Sequence, residues 1–370
     1  MHAPSPIASS ALLPTDTPLG LIDPAGSPVA GPSLTMPADG VLLRLYRSMV
    51  LGRRFDQQAT ALTKQGRLAV YPSAHGQEAG EIGAVAALRE QDWLFPTYRD
   101  SVAIVSRGVD PVEVLSLLRG DWHCGYDPNS YRVAPQCTPL ATNTLHAVGL
   151  AHAATVKGED TVSLVLLGDG ATSEGDTHEA LNFAAVFNTP TVFFVQNNGY
   201  AISVPLSKQT HAPSLAHKGI GYGMRSVLVD GNDAAAVFAV VSDAVAAAAR
   251  GEGPTLIEAI TYRIESHTNA DDATRYRDRA EVDEWLAKDP IDRLRAYLTE
   301  RGLLNTAADA EITATAEAEA AQLRARMNVD TERDPRALFR NVYATQTPAL
   351  RRQEQELLDE IAANDEEDAR

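Results

Sequence analysis

Apolar residues recur along the chain at two different periods, and the period decides the element. From residue 39 to about residue 65, Leu42, Leu45, Tyr46, Met49 and Val50 give an apolar helical stripe, which predicts a helix ended at Gly66. Residues 93–95, 161–167 and 191–196 are instead short, apolar and unbroken, as strands covered on both faces must be. Between the last two, the spacing predicts a helix with inward positions Ala180, Phe183, Ala184 and Phe187, its first turn capped by Asp176. Strand, helix and strand within ~35 residues require a right-handed crossover and therefore a parallel sheet. An Ala-rich helix follows over residues 232–250, capped by Asn232 or Asp233 and stopped by the Gly- and Pro-containing residues 251–254, and a further strand is predicted over residues 255–262.

These elements predict three parts and an α/β fold class, a doubly wound parallel sheet flanked by helices. Residues 1–37 hold eight prolines among Ala, Ser and Gly, which cannot repeat a backbone hydrogen-bond pattern for long, so an extended and partly disordered arm is expected. Residues 38–280 carry the α/β domain. Residues 281–370 are charged and helical and end in an acidic tail that is not expected to be ordered.

Composition narrows the function classes. With 370 residues, 44% of them hydrophobic, the chain can bury one large α/β core, and its formal net charge of −17 would repel a phosphate polymer, so no nucleic-acid partner is expected. Cys124 and Cys137 lack metal-site or disulfide-framework spacing and read as free thiols. The first basic residue is Arg44, which leaves no positive region for a leader, and no apolar run approaches a membrane span; a cytoplasmic protein without membrane contact is the expectation.

The chemistry concentrates at two strand ends. Gly168-Asp169-Gly170 closes one predicted strand and Asn197-Asn198 closes the next, and in a doubly wound sheet those carboxyl ends form the ligand crevice. Glycines there admit backbone N–H groups to a phosphate, and the following helix N-terminus favours an anion. The Asp169 carboxylate and the Asn198 amide oxygen are hard ligands suited to magnesium, which prefers oxygen donors and substrate phosphates. A lone glycine-flanked Asp usually marks a turn. Its pairing with Asn-Asn across one crossover is what makes it informative.

The stretch GDGATSEGDTHEALNFAAVFNTPTVFFVQNNGYAIS resembles the thiamine diphosphate motif of the alpha subunits of the decarboxylase component in branched-chain 2-oxo acid and pyruvate dehydrogenase complexes. The likeness runs from about residue 40 to 355 and includes QGRLAVYPSAHGQEA, DWLFPTYRD, IGYGMRSVLVDGND, GEGPTLIEAITYR, HTNADDATRYR and LFRNVYATQTPALRRQEQEL. The resemblance implies the thiamine diphosphate-binding fold, with Asp169, Asn198 and the Tyr200 carbonyl as magnesium ligands. Gly168 and Gly170 would lie at the cofactor, and Tyr98 and Arg99 would hold its diphosphate, arginine donating twice to phosphate oxygens. The loop from Cys137 to Asn143, with Leu140, matches a segment that supports the aminopyrimidine and in some members binds potassium; Thr142 and Asn143 offer oxygens for that ion, or cap the next helix. His267 matches the histidine of a mobile active-site loop, although Glu265 and Ser266 depart from the family's usual pairs. Gln196 stands where animal branched-chain members have Arg. Thr268 and Asp278 occupy the positions of the two serines phosphorylated in animal relatives, so kinase control is not implied. His75, His123, His146, His152 and His178 have no metal spacing and read as structural or surface residues.

The family's cofactor serves as electron sink for decarboxylation and is activated by a Glu at its aminopyrimidine ring. After a sheet spanning roughly residues 65–265, too little chain remains for a second domain to present that Glu. The resemblance therefore implies a beta subunit, a two-alpha, two-beta heterotetramer and a separate lipoyl-bearing transacylase. The Asp-Asp after the histidine loop, the IGYGM segment and the long terminal helix favour a branched-chain substrate such as 3-methyl-2-oxobutanoate, with pyruvate or acetoin as the alternative. A non-catalytic α/β binding protein is the rival of another class; the chain has no GxGxxG, GxxxxGK[ST] or GxSxG to anchor one.

Overall fold

In chain order the strands are β1 (Trp93–Phe95), β2 (Ser163–Gly168), β3 (Thr191–Asn197), β4 (Tyr200–Ala201), β5 (Val204–Pro205), β6 (Arg225–Asp230) and β7 (Thr255–Ile260). The short β4 and β5 pair antiparallel, and the other five form one sheet in the order β1-β2-β3-β7-β6 with every pairing parallel. This computed structural model describes residues 12–31, 33–330 and 334–368. The chain divides into two compact units, residues 1–327 and 328–370.

The sheet is covered on both sides, which explains the unbroken apolar strands. In β3, Val192 and Phe194 face a core shared with the helices Asp39–Lys64, Glu78–Ala86 and Ala234–Ala249, while Phe193 and Val195 face a second core with Thr142–Lys157 and Gly175–Phe187. All four are completely buried, each worth about 1.5–3 kcal/mol relative to exposure. Strand β6 lies at the sheet edge and was not anticipated: it mixes buried and half-buried positions and carries Arg225 and Ser226, so it lacks the unbroken apolar signature of its neighbours.

Two local expectations are corrected. The helix between β2 and β3 spans Gly175–Phe187 but buries Thr177, Ala180, Leu181 and Ala184. Phe183 and Phe187 are each 46% exposed, stacked on one another at 5.7 Å, with Phe187 also against His152 at 4.8 Å. Both stripes satisfy the same i, i+3, i+4, i+7 spacing, and the small residues are the ones that let the helix lie close to the sheet. Asp176 sits within the first turn, where it accepts a hydrogen bond from the Thr142 hydroxyl at 3.3 Å; Glu174 is the residue at the cap position, and its side chain makes no capping bond.

Asp233 caps the helix Ala234–Ala249 by accepting from the Ala235 and Ala236 N–H groups at 3.0 and 3.1 Å. Its other oxygen accepts from the backbone N–H groups of Leu21 and Ile22 at 2.6 and 2.7 Å, and Leu19 bridges to Val229 of β6. The described part of the arm is thus fastened to the sheet edge, with Leu21 and Ile22 buried. Residues 1–11, the other part of the expected disordered arm, lie outside the described residues.

The helices Arg279–Leu286, Pro290–Glu300 and Thr306–Met327 belong to the first unit. The second contains Ala337–Arg340 and the helix Pro348–Asp368. The acidic tail therefore corrects the expectation of disorder as far as Asp368: a proline opens the helix, the Thr347 hydroxyl accepts from the Leu350 N–H, and Gln355 donates to Asp359 one turn on. Among the described residues no helix is long and apolar enough to cross a membrane.

Candidate active site

The carboxyl ends of β1, β2, β3 and β7 open on one cleft of ≈ 780 Å³, its mouth included. Tyr98, Arg99, Leu140, Gly168, Asp169, Gly170, Asn198, Tyr200 and His267 all line it. None of His75, His123, His146, His152 and His178 does. The loop carrying Leu140 is tied to the end of β1, where the Tyr98 N–H donates to the Cys137 carbonyl at 3.1 Å. Gly170 is required by close packing, since a Cβ there would stand 2.7 Å from the Ala201 Cβ of β4.

Three oxygens converge at the centre. Asn198 Oδ1 lies 3.1 Å from the Tyr200 carbonyl oxygen and 3.3 Å from Asp169 Oδ1. The hydrogen bond it accepts, from the Tyr200 N–H, is a long 3.4 Å. Turning the amide over would exchange the oxygen contacts for hydrogen bonds to Tyr200 and Asp169. The orientation found is instead the one a cation needs. In an octahedron with metal–oxygen bonds near 2.1 Å, neighbouring oxygens stand ~3.0 Å apart, so these separations are close to the edges around a magnesium ion. Asp169 is 1% exposed, its Oδ2 accepts from Gln209 Nε2 at 2.7 Å, and burial pushes its carboxyl pKa up. A cation beside it would supply the missing countercharge. Among the described residues no three His, Cys, Asp or Glu side chains are grouped to hold a metal; one carboxylate, one amide and one carbonyl suit a hard ion that shares its shell with phosphate oxygens.

A cationic wall stands beside the oxygens. Arg99 donates to the Ser73 carbonyl at 2.9 Å and to the His267 carbonyl at 3.0 Å, and Arg263 donates to the Ile202 carbonyl at 2.7 Å and the Tyr276 hydroxyl at 2.9 Å. Asp56 fixes the loop that presents Ser73, accepting from the Tyr71 hydroxyl, the Ser73 hydroxyl and the Ala74 N–H. Among the described residues neither arginine forms an ion pair, although they are only 5% and 1% exposed, and Arg263 Nε has no partner. Two buried guanidinium groups with no carboxylate in direct ion-pair contact could take an anion such as a diphosphate.

His267 Nδ1 lies 3.1 Å from Arg99 Nη2 and 3.3 Å from Arg263 Nη1. Arginine only donates, so Nδ1 is the acceptor and the ring proton is on Nε2. Burial first, then the charges of Arg99 and Arg263, lower the His267 pKa to about 4, with Asp271 opposing. The imidazole is therefore neutral at pH 6, where a free one is largely protonated. The folded pKa lies below the unfolded value, so the unfolded chain binds more protons between the two, and stability is lost as pH falls from about 6.5 towards 4. His267→Asn should lessen this acid sensitivity. Thermal melts of both proteins at pH 5 and pH 7.5 check it, and an equal pH dependence in the two would contradict the assignment.

Gln77, Asp100, Gln209 and Arg263 stand at the site and were not singled out in the sequence. Arg263 had a usable signal, its place three residues beyond the carboxyl end of β7, where a doubly wound sheet puts its ligands. The two glutamines had none, because only the folded chain brings them to Asn198 and Asp169.

The family model described as the dehydrogenase E1 component matches residues 46–362. The 3-methyl-2-oxobutanoate dehydrogenase subunit alpha of Mycobacterium tuberculosis strain H37Rv is 48% identical over 349 residues, 94% of this chain and 95% of the relative. The pyruvate dehydrogenase E1 component subunit alpha of Staphylococcus aureus strain Mu50 is 40% identical over 289 residues, 78% of this chain and 77% of the relative. With the model spanning most of the chain and both relatives aligned over more than two thirds of their lengths, the chain belongs to the dehydrogenase E1 component family, as a 2-oxo acid dehydrogenase alpha subunit.

Proposed function

We propose that this chain supplies the diphosphate-binding half of a thiamine diphosphate site in the oxidative decarboxylation of a branched-chain 2-oxo acid such as 3-methyl-2-oxobutanoate, followed by acyl transfer to a lipoyl group. The observation that carries the reading is the oxygen triad of Asp169, Asn198 and Tyr200 set beside Arg99 and Arg263. The triad would ligate magnesium, and the arginines with Tyr98 would hold the diphosphate that shares the ion. Gly168 and Gly170 leave room at the strand end, and the loop at Leu140 would support the aminopyrimidine side. Asn143 Oδ1, buried and without a hydrogen-bond partner, supports a potassium ion at Thr142 and Asn143, where the helix Thr142–Lys157 begins. When bound, thiamine diphosphate supplies the electron sink for loss of carbon dioxide. The chain's own part is to orient it, keep water from its phosphates and hold His267, at the cleft, neutral with its proton on Nε2.

The partners proposed are a beta subunit, in a two-alpha, two-beta assembly in the cytoplasm, and a separate lipoyl-bearing transacylase. The α/β domain of residues 38–280 would carry the cofactor, between the arm of residues 1–37 and the helical region of residues 281–370. The higher identity to the 3-methyl-2-oxobutanoate enzyme favours the branched-chain substrate, and the pyruvate relative keeps pyruvate as the second reading. The test is co-expression with the beta subunit and assay of several 2-oxo acids with an artificial electron acceptor. Turnover should be fastest with 3-methyl-2-oxobutanoate or its homologues; preference for pyruvate would establish the second reading, and no turnover of any 2-oxo acid would refute both.

Arg99→Lys should raise the thiamine diphosphate requirement, since lysine keeps the charge but cannot span the Ser73 and His267 carbonyls while facing phosphate. Cofactor titration of the assembled enzyme checks this. Unchanged affinity would remove Arg99 from the phosphate site.

A further inference from the structure

Asn198 could present either end of its amide to Asp169 and Tyr200, and local hydrogen bonding favours the wrong end: its NH₂ would donate to the Tyr200 carbonyl at 3.1 Å and to Asp169 Oδ1 at 3.3 Å. Something outside the triad must turn the oxygen inward. A line of buried side chains runs away from it. Asn198 Nδ2 donates to Gln77 Oε1 at 3.0 Å, Gln77 Nε2 donates to Gln196 Oε1 at 2.9 Å, and Gln196 Nε2 donates to Asp100 Oδ1 at 2.6 Å. The other Asp100 oxygen accepts from the Thr97 N–H at 2.6 Å and the Thr97 hydroxyl at 2.7 Å. Asp100, Gln77 and Gln196 are 0%, 1% and 3% exposed, so water is not a ready substitute for any link.

Direction in such a line is set at its end. Burial pushes the Asp100 carboxyl towards its neutral form, and the Thr97 N–H and hydroxyl, the Gln196 NH₂ and the Arg99 charge all oppose this. Held ionised by them, it only accepts, so Gln196 must turn its NH₂ to Asp100 and its oxygen to Gln77. Gln77 must then turn its NH₂ to Gln196 and its oxygen to Asn198. Asn198 must turn its NH₂ to Gln77, which leaves its own oxygen facing Asp169 and Tyr200. Reversing Asn198 alone would set two oxygens against each other 3.0 Å apart, and relieving that by turning each glutamine moves the clash to Asp100.

We propose that Asp100 is a positioning residue which, through Gln196 and Gln77, fixes the polarity of the Asn198 amide so that its oxygen completes the magnesium site. The inference rests on the magnesium reading above. It gives Gln196 a role as a link in the line.

Asp100→Asn tests the polarity itself. The two Thr97 donors hold the new amide with its oxygen in the place of Oδ2, so its NH₂ replaces Oδ1 and faces Gln196. That drives Gln196, Gln77 and Asn198 to turn over, and an NH₂ then points at the metal position. In the assembled alpha–beta enzyme with saturating thiamine diphosphate, calorimetric titration with Mg²⁺ should show affinity lowered roughly 10–100-fold, the range for losses behind the first ligand shell. The double variant Asp100→Asn with Gln196→Glu should recover most of it. A carboxylate at position 196 accepts both from the new amide NH₂ at position 100 and from Gln77, and so restores the direction of the last two links. Unchanged affinity in Asp100→Asn, or a loss that the double variant does not recover, overturns the relay. Asp169→Ala is the control for the metal site: if it too binds Mg²⁺ as the wild type does, the magnesium reading fails, whereas its loss beside an unaltered Asp100→Asn refutes the relay alone. Should Asp100→Asn fail to assemble, Gln77→Met cuts the last link; it should weaken Mg²⁺ binding with assembly intact, and unchanged affinity there overturns the proposal.

Discussion

Asp169→Ala is expected to abolish Mg²⁺-dependent thiamine diphosphate binding and all turnover, with assembly and circular dichroism unchanged. Asp169 is the only carboxylate of the oxygen triad and sits at the end of β2, so its removal takes away the charge that would balance the ion. Losses behind the ligand shell weaken metal sites ~10–100-fold, and removal of a ligand should exceed that. The fold should not suffer. The Asp169 carboxylate is buried and pushed towards its neutral form, with Gln209 as the side chain donating to it. Taking it out relieves a desolvation penalty. Near-normal cofactor affinity in this variant would remove Asp169 from the site.

The purified chain alone is expected to have no decarboxylase activity and only weak affinity for Mg²⁺ and thiamine diphosphate, gaining both when mixed with the beta subunit. The described residues contain one five-stranded sheet and the β4–β5 ribbon. Beyond β7, apart from one short 3₁₀ turn, the elements among the described residues are all α-helices. The proposed anion and metal ligands for the diphosphate end are therefore in hand, while among the described residues no second α/β layer stands beyond β7 to present a Glu to the aminopyrimidine. Half a site leaves much of the cofactor in water, and the entropy of immobilising it is poorly offset until both rings are enclosed. Substantial turnover by the lone chain, after mass analysis has excluded a co-purified partner, would require an internal Glu.

The elements legible in the sequence were those whose environment is uniform. The first helix has one apolar stripe and was read to within about two residues, as were the strands β2, β3 and β7, covered on both faces. Edge strand β6 escaped because its polar and half-buried positions blur the period. On the Gly175–Phe187 helix the period was right and its phase wrong by three residues, because aromatic side chains were given preference over Thr177 and Leu181 for the inner face. At the site, strand-end residues such as Asp169 and Asn198 were readable because topology alone brings carboxyl ends together. The line through Gln77 and Gln196 was not, since its meaning lies in which end of each amide faces which, a property of the packed structure.

The most direct test of the central claim is a thiamine diphosphate titration of the assembled alpha–beta enzyme, stripped of divalent ions, with and without added Mg²⁺. The oxygen triad and the paired arginines require that binding be weak without the metal and become saturable and tight when it is restored. Equal affinity in both conditions would mean that Asp169, Asn198 and Tyr200 hold no ion between themselves and a diphosphate.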